Sequence, residues 1–420
     1  MRFILPCFAA LAALASCSSQ KTAEWSSDEL LFRESCLSLA QKDHQSAWSA
    51  ACTLRDSIAV FAGQPDEATL AETRKAWRSA HAAWMRLHAH GGPDFLPCHD
   101  AQGQVPAQRI AAEPVSESFL EGETGLISTD AVPKIGRDSL RRAHRLYAPD
   151  EVSTGFHALE FLLWGSDKDA DRPGTRAAAE FAGESLAASR RRAALVAASR
   201  LLVEDLALCA HQWSAFQADN ENVRLRRLSR KEFLGERIET LAQACEMLSS
   251  RYLETPFGAE ASLREPSRFS DNGFDDLRAG IRGVSSVITG RWPELASDYR
   301  QGGFSSLLGP QADDLLRLLR DTELLAAQST PSYERLAAES AQHPERLRLA
   351  KLSSELRLCA QLIRDAGKKL GAIPPPPRTL PVPATLKAAE AEKRSQEAAR
   401  QAAEMPSRVL GKQTNTQSSP

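Results

Sequence analysis

His157 and Glu160 are the residues whose types and spacing first suggest chemistry, an imidazole and a carboxylate three positions apart. They stand in Gly155-Phe156-His157-Ala158-Leu159-Glu160-Phe161-Leu162-Leu163-Trp164-Gly165, where every other residue is apolar or glycine. On a helix, positions three apart share one face, and a helix greasy on all sides is buried. An unpaired carboxylate there costs at least several kcal/mol, so Glu160 calls for a metal ion, a cationic partner or a proton. Imidazole with carboxylate suits iron or a related divalent ion with positions left open. The plainer alternative is a structural His–Glu hydrogen bond. Zinc hydrolysis needs about three protein ligands, an activated water and a general base. Neither HExxH nor HxxEH is present, and no second histidine completes a set on that helix.

The elements that must position this pair read as helices. Ser27 caps a predicted helix over 28–62 that Gly63 and Pro65 stop, and Asp66 caps the next. In that second helix Trp77 and Trp84 lie seven apart on one stripe, a core pattern. The Gly- and Pro-rich stretch 91–114 reads as a loop, with His88 and His90 before it and Cys98 and His99 within it. Imidazoles and a thiol are suitable ligands, but this spacing matches no zinc pattern. Ser153 or Thr154 is the expected cap of the buried helix, and its positive end would keep His157 neutral and able to ligate. Further helices are predicted over 175–218, 229–254, 273–290, 309–327, 332–342 and 344–371. Arg190-Arg191-Arg192 reads as a solvated face.

Ala, Leu, Arg and Glu dominate while only 6% of residues are aromatic, the makeup of an all-α protein. A net charge of −2 gives no reason to expect nucleic acid. Met1 and Arg2 precede an apolar run from Phe3 to Leu14, too short to span a bilayer, and then Ala15-Ser16-Cys17. Residues 1–17 thus read as a lipoprotein signal, with Cys17 the lipidated first residue of the mature chain and its membrane anchor. Ser18, where an inner-membrane lipoprotein often carries Asp, points to the outer membrane of a Gram-negative envelope, facing the periplasm. In that oxidising compartment Cys36, Cys52, Cys98, Cys209, Cys245 and Cys359 are expected to form disulfides of unspecified pairing. Pro374-Pro375-Pro376-Pro377 ends the folded part, and 374–420 reads as a disordered tail.

Taken together, the chain resembles the imelysin family of bacterial envelope proteins. Its Gly-x-His-x-x-Glu hallmark is matched by Gly155, His157 and Glu160. Companion stretches are RIAAEPV (109–115), FLGERIE (233–239) and RFSDNGFDDL (268–277), and the resemblance spans about 28–370. It implies two helical, four-helix-bundle-like subdomains, 28–225 and 226–371, with the hallmark helix near their junction. It also implies an iron-linked role, with iron or another divalent metal as cofactor and an iron-transport protein as partner; some members carry a metallopeptidase label. On this resemblance His157 and Glu160 are metal ligands, and Asp271, Asp275 and Asp276 are candidates to complete the set. Gly155, Trp77, Trp84, Arg109, Arg268 and Ser270 would line the site. Pro266 departs from the family pattern beside Glu265, which is left outside the ligand set. Two other readings compete: a zinc-type metallopeptidase, and an interaction scaffold with a structural His–Glu pair.

Overall fold

Helix α1 (Ser27–Gly63) starts where Ser26 and Glu29 form a reciprocal capping box. Asp66 does the same with Thr69 for α2 (Glu67–Arg86), its carboxylate 2.8 Å from the Thr69 amide. Each helix turns an apolar stripe inward, Leu54, Ile58 and Phe61 on α1 and Leu70, Trp77 and Trp84 on α2. Short helices α3 (Ala107–Ile110), α4 (Glu117–Glu121) and α5 (Arg137–Ala143) follow, then α6 (Phe156–Trp164) and α7 (Leu186–Gln212). Helix α8 (Glu221–Arg227) leads to α9 (Arg230–Ser249), which ends in a π turn over Ser250–Glu254. The chain closes with α10 (Gly273–Thr289), α11 (Ala312–Ala327), α12 (Tyr333–Ala338) and α13 (Pro344–Lys369). This computed structural model describes residues 25–376 except 92–97, 99, 101–104, 130–133, 216, 259–264, 293–301 and 329–331. The signal, Cys17, His99 and the tail from 377 lie outside the described residues.

The all-α architecture is as expected, with no strand among the described residues. Helices α1, α2 and α7 pack side by side, with α6 against α2 and α7. A second group joins α9, α10, α11 and α13, and α2 meets α10 between the two groups. No described helix is long and apolar enough to cross a membrane.

Three expectations are corrected. The arginine run is no solvated face: Arg190 is buried and donates to the carbonyls of Leu126 (2.8 Å) and Ile127 (3.1 Å). Arg191 bonds Glu121 at 2.7 Å, and Arg192 donates to the carbonyls of Phe181 and Gly183. These guanidiniums tie α7 to irregular chain whose carbonyls would otherwise be buried without donors. The six described cysteines are free thiols, five of them buried; only Cys52 is partly exposed. Cys98 and Cys209 are hydrogen-bonded neighbours without a covalent link. The others sit on helix faces, where thiols pack as small apolar groups. The cap of α6 is the third: it is Gly155, not Ser153 or Thr154. Arg190→Ala should lower unfolding free energy by about 2–3 kcal/mol, because it strands two buried carbonyls. Urea unfolding followed by circular dichroism measures it, and a change near zero would contradict the clamp.

Candidate metal centre

Neither Ser153 nor Thr154 caps α6. The Ser153 hydroxyl donates to the Leu140 carbonyl at 2.7 Å, and the N-cap is Gly155 with φ +93°. A Cβ there would lie 2.0 Å from the Arg109 carbonyl oxygen and 2.7 Å from that of Ile110. The hallmark glycine thus has two causes, a positive φ and the close passage of the RIAAEPV backbone. The first carbonyl of α6, that of Phe156, accepts the Trp77 indole N–H at 2.9 Å. At the other end Arg74 donates to the Leu163 carbonyl at 2.8 Å and Arg176 to that of Leu162 at 2.9 Å. These cations satisfy the last carbonyls and suit the negative helix end. So α6, nine residues and wholly buried, is fixed at both ends by side chains from elsewhere.

On this frame His157 Nδ1 lies 2.9 Å from Glu160 Oε2. The other Glu160 oxygen accepts from the Ser270 amide (3.0 Å) and hydroxyl (2.6 Å) in the turn before α10. Across the ring, His157 Nε2 is 3.6 Å from Glu113 Oε2, too long for a hydrogen bond. Glu113 is ion-paired with Arg251, carried on the π turn. A cleft of about 260 Å³ opens there, lined by Glu113, His157, Glu160, Arg251, Glu265 and Arg268 among others. Glu265 is 5% exposed, and neither of its oxygens meets a donor. Burial, and then Glu334, Asp271 and Asp167, push its carboxyl up to about 9.

The expected lowering of the His157 pKa is reversed in the protein without a bound ion. Burial pulls the imidazole down, but Glu113 and Glu160 outweigh it and hold the pKa above its ordinary value. With Gly155 as cap, the two carboxylates decide the charge, not the helix end.

Of the predicted site residues, Arg268 lines the cleft, and Ser270 sits behind it, bonded to Glu160. Trp77 and Trp84 are buried behind α6, packed on Phe156, and do not line it. Arg109 turns its guanidinium away to Asp205 (2.6 Å) and Asp100 (2.8 Å), so only its backbone serves the hallmark. Asp275 pairs with Arg278 at the surface. Asp276 is buried but committed to His81 Nδ1 (2.7 Å), the Ser267 hydroxyl (2.6 Å) and the Asn272 amide (2.8 Å). Neither joins His157, for one residue along a helix turns a side chain about 100°. Asp271 stands instead with Asp167 and Glu334, where burial and then Asp167 and Glu160 raise it to about 7. His90 is bonded to Asp43 at 2.7 Å, and burial lowers His88 to about 4; these and Cys98 lie off the cleft.

Sequence reasoning missed Glu113, Arg251, Asp167, Glu334 and His81, and set Glu265 aside. Glu113 lies inside the RIAAEPV stretch that also carries Arg109. The others come from segments whose approach only the tertiary fold decides.

A family model described as imelysin, and labelled a peptidase family, matches residues 40–405. A crystal structure described as an iron-regulated protein A precursor from Parabacteroides distasonis is 14% identical, with TM-score 0.61. The match covers 82% of this chain and 97% of that one. An imelysin-like protein from Psychrobacter arcticum is 16% identical with TM-score 0.59, over 83% of this chain and 96% of its own. At such identities these likenesses show the fold. No curated protein matches.

In metal-free protein the imidazolium's contribution to stability is full below about pH 6.5, the ordinary His value. It is lost as pH rises through the higher folded-state pKa. An NMR titration should place the His157 midpoint above about 6.5, and Glu160→Gln should lower it. A midpoint below the ordinary value would contradict the pairing. Gly155→Ala should destabilise by more than about 3 kcal/mol, since φ strain and a carbonyl clash add; a Tm equal to wild type would contradict the close approach.

Proposed function

The chain belongs to the imelysin family, and from that premise we propose that it holds iron, or a related divalent ion, at the His157 cleft for bacterial iron uptake. One observation carries the reading. His157 has Nδ1 committed to Glu160 while Nε2 faces a carboxylate across a gap with no hydrogen bond in it. A histidine whose Nδ1–H is held by a carboxylate presents Nε2 as a ligand of fixed direction and raised basicity. Glu160 is therefore an orienting group in this proposal, since Ser270 and His157 occupy its oxygens. Glu113 and Glu265 are the carboxylates that complete the donor set, and the donorless oxygens of Glu265 fit a cation. One imidazole with carboxylates suits iron, manganese or zinc by donor type. An entering cation competes with Arg251 for Glu113 and with a proton for Nε2, so affinity falls as pH drops.

The iron assignment draws support from the family and from the iron-regulated description of one similar structure. Anchoring through Cys17 to the outer membrane, facing the periplasm, belongs to the same proposal and rests on Leu14-Ala15-Ser16-Cys17. So does delivery to an iron-transport partner. A zinc peptidase is the weaker reading, because the described lining of the cleft offers one imidazole.

Metal content and calorimetric titration of the full chain with ferrous ion test the proposal. Wild type should retain ion, and His157→Ala plus Glu160→Ala should lose it. Glu160→Gln alone should weaken binding roughly 10–100-fold, as the loss of an orienting partner does. Equal metal content in wild type and double variant would remove the metal reading. Cleavage of unfolded substrates, abolished by His157→Ala, would replace it with the peptidase.

A further inference from the structure

Beyond the His157 cleft, Asp167, Asp271 and Glu334 offer ligand oxygens that all lie within 4.8 Å of one another. They come from three separate places: the chain after α6, the turn before α10, and the first turn of α12. Acidic groups that meet at a surface are ordinarily separated by water, but these are partly withdrawn from it. Asp271 Oδ1 is buried and lacks a donor, while the withdrawn carboxyls of Asp167 and Glu334 bond to one another. Beside them lies Glu265, 5% exposed and donorless at both oxygens, within hydrogen-bonding reach of the Glu334 carboxyl. A carboxyl so deeply placed and aimed at another keeps its proton, its pKa pushed up to about 9, until a cation takes the proton's place. The arginines whose charge reaches the cluster have other partners. Arg268 bonds Glu117 at 2.7 Å, and Arg78 reaches the Ser270 carbonyl at 3.5 Å.

We propose that Asp167, Asp271 and Glu334, with Glu265 beside them, form a second cation site that takes Ca²⁺. The donors are all carboxylate oxygens, which hard cations prefer over imidazole or thiolate. Calcium binds oxygens at about 2.3–2.6 Å, so ligands on opposite sides of one ion stand about 5 Å apart. The oxygens here lie within that span, and donors from three separate segments suit the flexible coordination of Ca²⁺ better than the near-ideal octahedron that Mg²⁺ demands. The surrounding chain is already held for such a bridge. Ser332 donates to the Ala170 carbonyl, and Arg335 pairs with Asp171 at 3.1 Å, so α12 is docked on the chain that carries Asp167. A Ca²⁺ ion would link that chain to Asp271, the neighbour of the Ser270 that grips Glu160. It would thereby brace the turn supporting the His157 cleft. Its three cluster ligands, Asp167, Asp271 and Glu334, are none of those assigned to the His157 cleft, and only Glu265 lies between the two, so the site stands whether or not the cleft holds iron.

Calorimetric titration of the metal-free full chain with CaCl₂, paired with thermal unfolding with and without CaCl₂, tests this. Wild type and His157→Ala should each take up a single Ca²⁺ and gain Tm on adding it. Asp167→Asn plus Glu334→Gln should lose both effects while keeping the wild-type circular dichroism. This double variant should also unfold at a higher temperature than wild type without calcium, because it removes mutual repulsion. If wild type shows neither heat nor Tm change with CaCl₂, the site is overturned. Equal Ca²⁺ uptake by the double variant, or its loss in His157→Ala, overturns it too, by placing the ion elsewhere. Should the double variant misfold, Asp271→Asn takes its place, with the same outcomes.

Discussion

A carboxylate deprived of water must meet a cation, a proton or hydrogen-bond donors, and Glu160 meets that requirement from two directions at once. Its oxygens are shared between His157 on its own helix and Ser270, which arrives from far along the chain. That sharing fixes where α6 sits relative to the turn before α10. It also fixes which nitrogen of His157 is left to face the cleft. Apart from His157 and Glu160 the hallmark helix has no polar side chain with which to be oriented. Its position is set by Gly155 against passing carbonyls, by Trp77 at its start, and by Arg74 and Arg176 at its end.

The same requirement explains the polar groups around the cleft. Asp276 is as buried as Glu160, and it is satisfied by His81, Ser267 and Asn272. Asp43 is satisfied by His90 and by the Trp292 indole at 2.7 Å. These full complements are structural: they join segments and leave nothing to bind with. Glu113 and Glu265 differ, for one shares its charge with Arg251 across an open cleft and the other has no donor. Incomplete satisfaction, rather than burial itself, separates the groups available to a cation from those that hold the fold.

Much of this was legible in the chain. The apolar run around His157 dictated a buried helix, and the structure buries all of it. Asp66 caps α2 as expected, and the cap of α1 is Ser26 in place of the expected Ser27, one residue away, because a cap depends on local geometry alone. The imelysin match covers most of the stretch that the resemblance spanned. What sequence could not supply was direction. Asp271, Asp275 and Asp276 are near neighbours in the chain, yet one joins an acidic cluster, one lies at the surface and one is locked in the core. Arg190 looks like any surface arginine until the carbonyls it serves are seen. Glu113 and Arg251 lie far apart in the chain and meet where α9 ends in a π turn. The free cysteines follow the same rule, since compartment predicts pairing but helix faces set the distance between thiols.

The central claim is that His157 presents Nε2 to an ion because Glu160 holds Nδ1. The most direct test is anomalous diffraction at the iron edge from crystals of the full chain grown with ferrous ion. The account predicts one strong peak within coordination distance of His157 Nε2 and of Glu113, with Nδ1 still bonded to Glu160. A peak on Nδ1 or between His157 and Glu160, or no peak at His157 in iron-saturated crystals, would contradict it.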